Sequence, residues 1–372
     1  MVTSRSAVLR APDAPYLLED VELDAPGPDE ALVRVVACGI CHTDDFGRSG
    51  LLGEHFLPAV LGHEASGVVE EVGPGVTHVR PGDHVVLTFD ACGTCTACVS
   101  ANPTCCSEFE LRNLTGARPD GSQAARDGTG APLTSRWFGQ SAFGQYAVAT
   151  ARNLVTVPDD VPLELLGPLG CGIQTGAGTV LNVLRPGPGC SIAVFGTGAV
   201  GLSAVMAAKL AGADEIVAVD IRPQRRELAL ELGATRVVDG GDPALAVAVR
   251  GDGPGLDCTF DTTGLAAVMT AAVEVLRRPG TAALAGAGLE LLTVHPAFLA
   301  GKTVTYVYEG GGLPRVLIPQ LVEWWRAGRF PFDRLVRTYP LAAINEAEAD
   351  AQAGRTVKPV LLMPPVTPPG EG

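Results

Sequence analysis

Two short stretches carry side chains whose types suit metal chemistry: Cys41-His42-Thr43-Asp44 and Leu61-Gly62-His63-Glu64. A thiolate and an imidazole are the pair that Zn²⁺ prefers, and Glu64 sets a carboxylate beside the imidazole. A third thiol, Cys171, stands far along the chain in Gly170-Cys171-Gly172. Three protein ligands leave a fourth coordination position open, which is the arrangement of a catalytic rather than a structural zinc. Taken alone, Cys41 or His63 reads as readily as a core side chain. The remainder of the chain decides between the two.

A second cluster is denser. Cys92, Cys95 and Cys98 are spaced by three, and Cys106 follows eight residues later. Four thiolates this close in sequence close a tetrahedral zinc site with no open position, whose role is to staple a loop. Disulfides are the alternative in an oxidising compartment, and an iron–sulfur cluster is another. Spacing does not separate Cys106 from Cys105. Cys38, Cys190 and Cys258 lie in apolar, strand-like surroundings and read as core.

A third motif is of another kind. Gly196-Thr197-Gly198-Ala199-Val200-Gly201 follows the apolar run Ser191–Phe195 and opens a helical pattern. This is the dinucleotide fingerprint in its proper strand–turn–helix context. Gly196 permits the tight turn, Gly198 lets backbone approach a pyrophosphate, and Gly201 lets the helix pack on its strand. The helix N-terminus offers free N–H groups to phosphate. Asp220 lies nineteen residues past Gly201, at the end of Ile216–Val219. A carboxylate there binds the ribose hydroxyls and repels a 2′-phosphate, favouring NAD over NADP; Arg222, Arg225 and Arg226 close by pull the other way. A later glycine turn, Ala285-Gly286-Ala287-Gly288, has the lack of bulk that suits the nicotinamide end.

The elements that must position these residues fall into two textures. Residues 1 to about 155 read as mostly β, with alternations such as Ala31–Val36 punctuated by glycine and proline. Residues 107–136 are polar, rich in Gly and Ser, and read as a long surface loop, a candidate rim of the site. After Pro168, strand-like runs alternate with helical ones: Ser191–Phe195 with Ala199–Leu210, and Ile216–Val219 with Gln224–Leu232. Further strands are expected at Arg236–Val238, Cys258–Phe260, Thr281–Leu284 and Thr303–Tyr308. Such alternation implies right-handed βαβ units around a parallel sheet. Ile318–Arg326 and Ala342–Ala353 read as helices, Lys358–Met363 as a closing strand, and the Pro-rich tail 364–372 as loose.

The bulk numbers bound the class. The 372 residues are 47% hydrophobic and 18% charged, enough for two well-packed domains, and the net charge is −14. That charge argues against a nucleic-acid binder, which needs a basic face. No run approaches the roughly 20 apolar residues that cross a bilayer. The N-terminus has no long apolar segment of the signal-peptide kind. A cytoplasmic protein is expected, and in that setting metal ligation accounts for the ten cysteines better than disulfides do.

Together these parts resemble the zinc-dependent medium-chain alcohol dehydrogenases over essentially the whole chain, with the aryl (benzyl) alcohol dehydrogenase branch as the nearest match. The residues that carry the resemblance are Cys41–Asp44, Gly62-His63-Glu64, the Cys92/95/98/106 lobe with Ser107-Glu108-Phe109, and Gly170-Cys171-Gly172 with Thr175. Ile318-Pro319-Gln320-Leu321, Phe330–Asp333, Ile344–Ala347 and Lys358-Pro359-Val360 extend it to the end. The resemblance implies an α/β architecture: a Rossmann doubly wound parallel sheet over 173–308, and a GroES-like, mostly β catalytic domain over 1–172 and 309–372.

It also implies roles. Cys41, His63 and Cys171 bind catalytic zinc, and Glu64 swings in as a transient ligand. Asp44 fixes the tautomer of His63. Thr43 hydrogen-bonds the substrate oxygen. Cys106 is chosen over Cys105 for the structural site. His42 and Lys358 meet cofactor phosphates, Thr175 lies beside the nicotinamide, and Thr88, Trp137 and Phe138 line the substrate pocket. The implied reaction is hydride transfer between an aromatic or allylic primary alcohol and NAD, in a homodimer or homotetramer that pairs through the strand Thr303–Tyr308. The rivals are a thiol-dependent formaldehyde dehydrogenase, an aldehyde or imine reductase of secondary metabolism, and a non-catalytic nucleotide binder. One departure stands out. Where several family members end a proton relay in histidine, this chain has Phe46, which leaves cofactor ribose with water, or His42, as the proton's exit.

Overall fold

The computed structural model describes residues 1–366; part of the Pro-rich tail lies outside them. The chain divides into two compact units. One comprises Met1–Cys171, Pro314–Pro319 and the stretch from Leu335 on; the other comprises Gly172–Leu313 and Gln320–Arg334. The helix Pro314–Arg326 is thus shared, whereas the sequence reading put everything after residue 308 in the first unit.

The first unit is built on two sheets. Val2–Leu9 pairs antiparallel with Leu17–Leu23 and with Ala59–Val60 in a five-stranded sheet. A seven-stranded sheet is centred on Glu30–Gly39, which pairs with Glu64–Val72 on one side and with Tyr146–Thr150 and Lys358–Leu362 on the other. This strand is buried almost throughout rather than alternating, which means that both of its faces are covered. Two register shifts, between Leu32/Val33 and Val35/Ala37, bend it before it delivers Ile40 and Cys41; bulges of this kind re-aim a strand end beside a site.

Residues 107–136 are not the bare loop expected. They hold a short helix, Phe109–Asn113, and two-residue strands Ala125–Arg126 and Pro132–Leu133 that extend the five-stranded sheet. Burial of Ala124, Ala125 and Leu133 and the double hydrogen bond from Arg118 to Glu30 (2.8 and 3.0 Å) tie the segment down.

The second unit is a six-stranded parallel sheet in the order Arg236–Asp239, Glu215–Asp220, Ser191–Phe195, Leu256–Asp261, Leu276–Leu284, Lys302–Tyr306. In chain order that is 3-2-1-4-5-6, the doubly wound arrangement with its switch point beside the first strand. The central strands Ser191–Phe195 and Glu215–Asp220 are buried, nearly continuous apolar runs, as strands covered on both faces are. Ala199–Ala211 and Pro223–Leu232 follow the first two strands as expected; Leu245–Arg250 and Ala266–Glu274 follow the next two.

Candidate active site and metal centres

Cys41 caps the helix His42–Arg48 from an extended conformation, and its backbone N–H donates to Asp44 Oδ2 at 3.1 Å. Asp44 in turn receives His63 Nδ1 at 2.8 Å on Oδ1, which gives the imidazole its orientation and leaves Nε2 bare. Gly62 makes the approach to His63 at φ +88°, where an added Cβ would sit 2.5 Å from the Phe143 ring. Cys171 follows a tight turn, Gly167–Gly170. That turn lies so close to the sheet that a Cβ on Gly167 would come within 2.2 Å of the Glu64 carbonyl, and one on Gly170 within 2.0 Å of the Leu87 carbonyl. Thr88 Oγ1 donates to the Gly170 carbonyl at 2.8 Å, anchoring the Cys171 turn.

The ligand atoms of Cys41, His63, Glu64 and Cys171 consequently lie within 4.8 Å of one another. Three features fit a zinc ion there. His63 Nε2 is buried with no partner, an orphan acceptor that otherwise costs free energy. Cys171 hydrogen-bonds the Cys41 thiol and, with Lys358 and His63, draws its pKa well below the usual thiol value against burial, as ligation requires. The donor set, two thiolates and a neutral imidazole with a carboxylate in reach, is zinc chemistry.

The second cluster closes as expected. The sulfurs of Cys92, Cys95, Cys98 and Cys106 also fall within 4.8 Å of one another, with Cys92 and Cys98 3.9 Å apart. Four sulfurs about 2.3 Å from one zinc are separated by about 3.8 Å along the tetrahedral edges. Backbone N–H groups of Cys95, Thr94 and Cys92 point at these sulfurs at 3.2–3.4 Å, stabilising thiolate. Cys105 is exposed and outside the cluster, and all ten cysteines are unbridged.

In the nucleotide unit, Gly196 adopts φ +85°, and a Cβ on Gly201 would lie 1.8 Å from the Gly196 carbonyl. Nothing stands within 4 Å of a Cβ position on Gly198, so the backbone there is open to a phosphate. Asp220 Oδ2 accepts from Thr197 N and Oγ1, both at 2.8 Å, and Oδ1 accepts from Arg222 N. Thr175 is buried in the helix Gly172–Gly178. Arg225 is largely buried, and burial lowers its pKa.

Several of the expected residues make contacts within the protein that the sequence did not announce. Lys358, expected near a cofactor phosphate, is buried, and Nζ donates to Glu64 Oε1 (2.9 Å), Glu64 Oε2 (2.8 Å) and the Ile40 carbonyl (3.1 Å), which engages every N–H it has. Burial opposes the charge, yet Glu64 holds the Lys358 pKa above its ordinary value. Gly39 makes room for the pair, since a Cβ there would lie 2.2 Å from Glu64 Oε2. The bareness of Gly286 serves Gly264, whose N would be 2.1 Å from its Cβ. Trp137 is fully buried, and its indole N–H donates to Asp44 Oδ1 at 3.1 Å. Phe138 stacks on His63 with centroids 4.6 Å apart. His42 is exposed, and Phe46 packs against the core. Sequence reasoning missed Gln140, which donates to the His63 carbonyl at 2.9 Å; no spacing signal marks it.

Comparison with known proteins agrees with this geometry. Residues 27–159 match the alcohol dehydrogenase GroES-like domain, and residues 199–324 match the zinc-binding dehydrogenase domain. The chain is 44% identical to geraniol dehydrogenase of Castellaniella defragrans, over 97% of this chain and 98% of that one. Among solved structures it superposes on an alcohol dehydrogenase zinc-binding domain protein from Burkholderia ambifaria with TM-score 0.94 and 47% identity, covering 98% of this chain and 100% of the other. Benzyl alcohol dehydrogenase from Acinetobacter calcoaceticus gives 0.93 and 41%, again over 98% and 100%. Two metal-ligand clusters, a bare phosphate turn and these likenesses converge: the chain belongs to the zinc-dependent medium-chain alcohol dehydrogenases, with NAD as its hydride partner.

Proposed function

We propose that this dehydrogenase interconverts an aromatic or allylic primary alcohol and its aldehyde. The observation that carries the reading is the convergence of Cys41, His63 and Cys171, with His63 Nε2 unpartnered, in a chain 44% identical to a geraniol dehydrogenase and 41% identical to a benzyl alcohol dehydrogenase. Those two relatives act on an allylic and an aromatic alcohol by name.

Zinc held by Cys41, His63 and Cys171 supplies Lewis acidity, which lowers the pKa of a hydroxyl it polarises. Gly196, Gly198 and Gly201 would hold NAD, which would supply the hydride acceptor, and Asp220 favours it over a 2′-phosphorylated cofactor. The residues of the chain do the rest. Thr43, whose Oγ1 lies 3.7 Å from Cys41 Sγ, takes the hydrogen bond of the substrate hydroxyl and passes its proton on. Asp44 holds the proton on His63 Nδ1, which would leave the Nε2 lone pair free to ligate the ion. Lys358 keeps the Glu64 carboxylate from being a lone buried charge beside two thiolates. Phe46 supplies no proton acceptor, which leaves cofactor ribose with water, or the exposed His42 next to Thr43 in the chain, as the route outward.

Among the described residues no helix is long and apolar enough to cross a membrane. A cytoplasmic homodimer or homotetramer is part of the same reading; Lys302–Tyr306 is the outermost strand of its sheet, with Tyr306 half exposed, and an open edge of that kind favours pairing.

The test is the ratio of kcat/KM values, with NAD, for benzyl alcohol and geraniol against ethanol, measured with and without a small thiol and formaldehyde. The proposal predicts preference for the first two alcohols by a factor of ten or more. A preference for ethanol, or turnover only of the formaldehyde–thiol adduct, overturns it.

A further inference from the structure

Five consecutive residues, Trp137–Ser141, form a turn with unusual backbone. Phe138, Gly139 and Ser141 all adopt positive φ (50°, 66° and 54°). For a phenylalanine this is an outlier, and such strain persists only where the surroundings over-determine it. Here they do. Trp137 N donates to Ser141 Oγ at 2.8 Å, and the Phe138 carbonyl accepts from Asn153 Nδ2 at 3.0 Å. Immediately beyond, Ala142 N donates to the Gly62 carbonyl at 2.8 Å and Phe143 N to the Leu61 carbonyl at 3.0 Å.

Three of the side chains this turn presents reach His63 or the carboxylate that orients it. The Phe138 ring stacks on the His63 imidazole with centroids 4.6 Å apart and planes inclined by 27°. Gln140 Nε2 donates to the His63 carbonyl at 2.9 Å and to the Thr88 carbonyl at 3.2 Å. The Trp137 indole N–H donates to Asp44 Oδ1 at 3.1 Å, the same oxygen that receives His63 Nδ1 at 2.8 Å and Gly62 N at 3.2 Å. Asp44 and Trp137 are 1% and 0% exposed, so water does not replace a lost donor.

We propose that the turn Trp137–Ser141 is a positioning element for His63: stacking fixes the plane of the metal-ligating ring, and the indole N–H fixes the carboxylate that orients it. The inference rests on the reading of His63 as a zinc ligand, and it assigns Trp137 and Phe138 to the ion's surroundings rather than to the substrate's shape. Without the indole N–H, Asp44 turns toward its backbone donors at Cys41 and Gly62 and carries the imidazole with it. Without the Phe138 ring, the imidazole plane is free to tilt. Trp137 reaches Asp44 from 93 residues away in the chain.

The experiment is chelator-driven zinc release from the full-length holoenzyme, with the four-cysteine site as an internal control. Trp137→Phe keeps a ring and removes the N–H; Phe138→Leu removes the stacking. Each is expected to speed loss of the three-ligand zinc about tenfold, the low end for groups that orient metal ligands, to leave the other zinc unchanged, and to lower kcat for alcohols of different shape by a common factor. Phe56→Leu, which removes a packing partner of Trp137 (centroids 5.5 Å) but no donor, lowers the melting midpoint with zinc release unchanged. If Trp137→Phe does not fold, Phe138→Leu carries the test. Release rates within twofold of wild type in the folded variants, with KM changed for some alcohols only, overturn the inference. A wild-type chain that holds no zinc at Cys41, His63 and Cys171 instead overturns the metal reading, and is recognised from the wild type alone.

Discussion

Replacing Lys358 with methionine removes one half of a buried ion pair and leaves the other in place. The Glu64 side chain is fully buried and that of Lys358 is 5% exposed, and the two Nζ–O distances are 2.8 and 2.9 Å. Breaking such a pair by deleting one partner costs about 3–5 kcal/mol, because the remaining charge is stranded out of water. Glu64 has two escapes: burial already holds its carboxyl up at about 7, so without Lys358 it can take a proton, and it lies within 4.8 Å of the sulfur and nitrogen ligands, so a zinc ion there would take up part of its charge. The loss in Lys358→Met is therefore expected to be largest for the zinc-free chain at alkaline pH, where Glu64 resists protonation best, with a fall in melting midpoint of up to about 10 °C at 2–4 °C per kcal/mol. In the zinc-loaded chain it is expected to be less than half of that. The double variant Lys358→Met/Glu64→Leu strands no charge and is expected to recover most of the difference. Thermal melts of the three proteins, with zinc and after chelation, decide the matter. Equal shifts with and without zinc, or a zinc-free Lys358→Met as stable as its parent, refute the reasoning.

Three further outcomes are expected. Burial raises the Asp45 carboxyl from 3.8 to about 6, with Glu348 and Asp44 adding to the rise and His42 and Arg48 opposing it. Its contribution is thus favourable below pH 3.8 and lost as the pH climbs through 6, so Asp45→Asn is expected to be more stable than the parent at pH 7.5 and equal to it near pH 4. The full gap is worth about 3 kcal/mol, reduced to about 1 kcal/mol because the group is only partly buried; urea titrations at the two pH values measure it. Gly201→Ala drives a Cβ to within 1.8 Å of the Gly196 carbonyl, and calorimetric titration with NAD is expected to show affinity down at least tenfold with zinc content unchanged. Cys106→Ser is expected to lose the four-cysteine zinc and Cys105→Ser to keep it, as counted by metal analysis.

The parts of the site that were legible in sequence are those written in local spacing and residue type. Cys41, His63 and Cys171 announce themselves by ligand chemistry and flanking glycines, Cys92–Cys106 by a repeat of three, and Gly196–Gly201 by its place between a strand and a helix. What stayed hidden is side-chain pairing across long separations. Glu64 and Lys358 are 294 residues apart, and no local pattern tells whether a lysine meets a phosphate or a buried carboxylate. Trp137 has the bulk of a pocket residue, and only its placement against Asp44 reveals a hydrogen-bond donor. The segment 107–136 read as loop because strands of two residues have no period to detect. Leu245–Arg250 and Ala266–Glu274 went unassigned because their apolar and alanine-rich runs lack an amphipathic stripe. The doubly wound sheet, by contrast, was readable because its central strands, Ser191–Phe195 and Glu215–Asp220, are nearly unbroken apolar runs, each followed by a helical pattern.

The account stands on a zinc ion held by Cys41, His63 and Cys171 and required for alcohol oxidation. Its most direct test is metal content measured together with alcohol-dependent NADH formation in the parent chain and in Cys171→Ser. Two zinc ions per parent chain, one per variant chain, and NADH formation lost with the missing ion is the predicted result. A variant that keeps both ions, or one that loses an ion and still turns over at the parent's rate, contradicts the account.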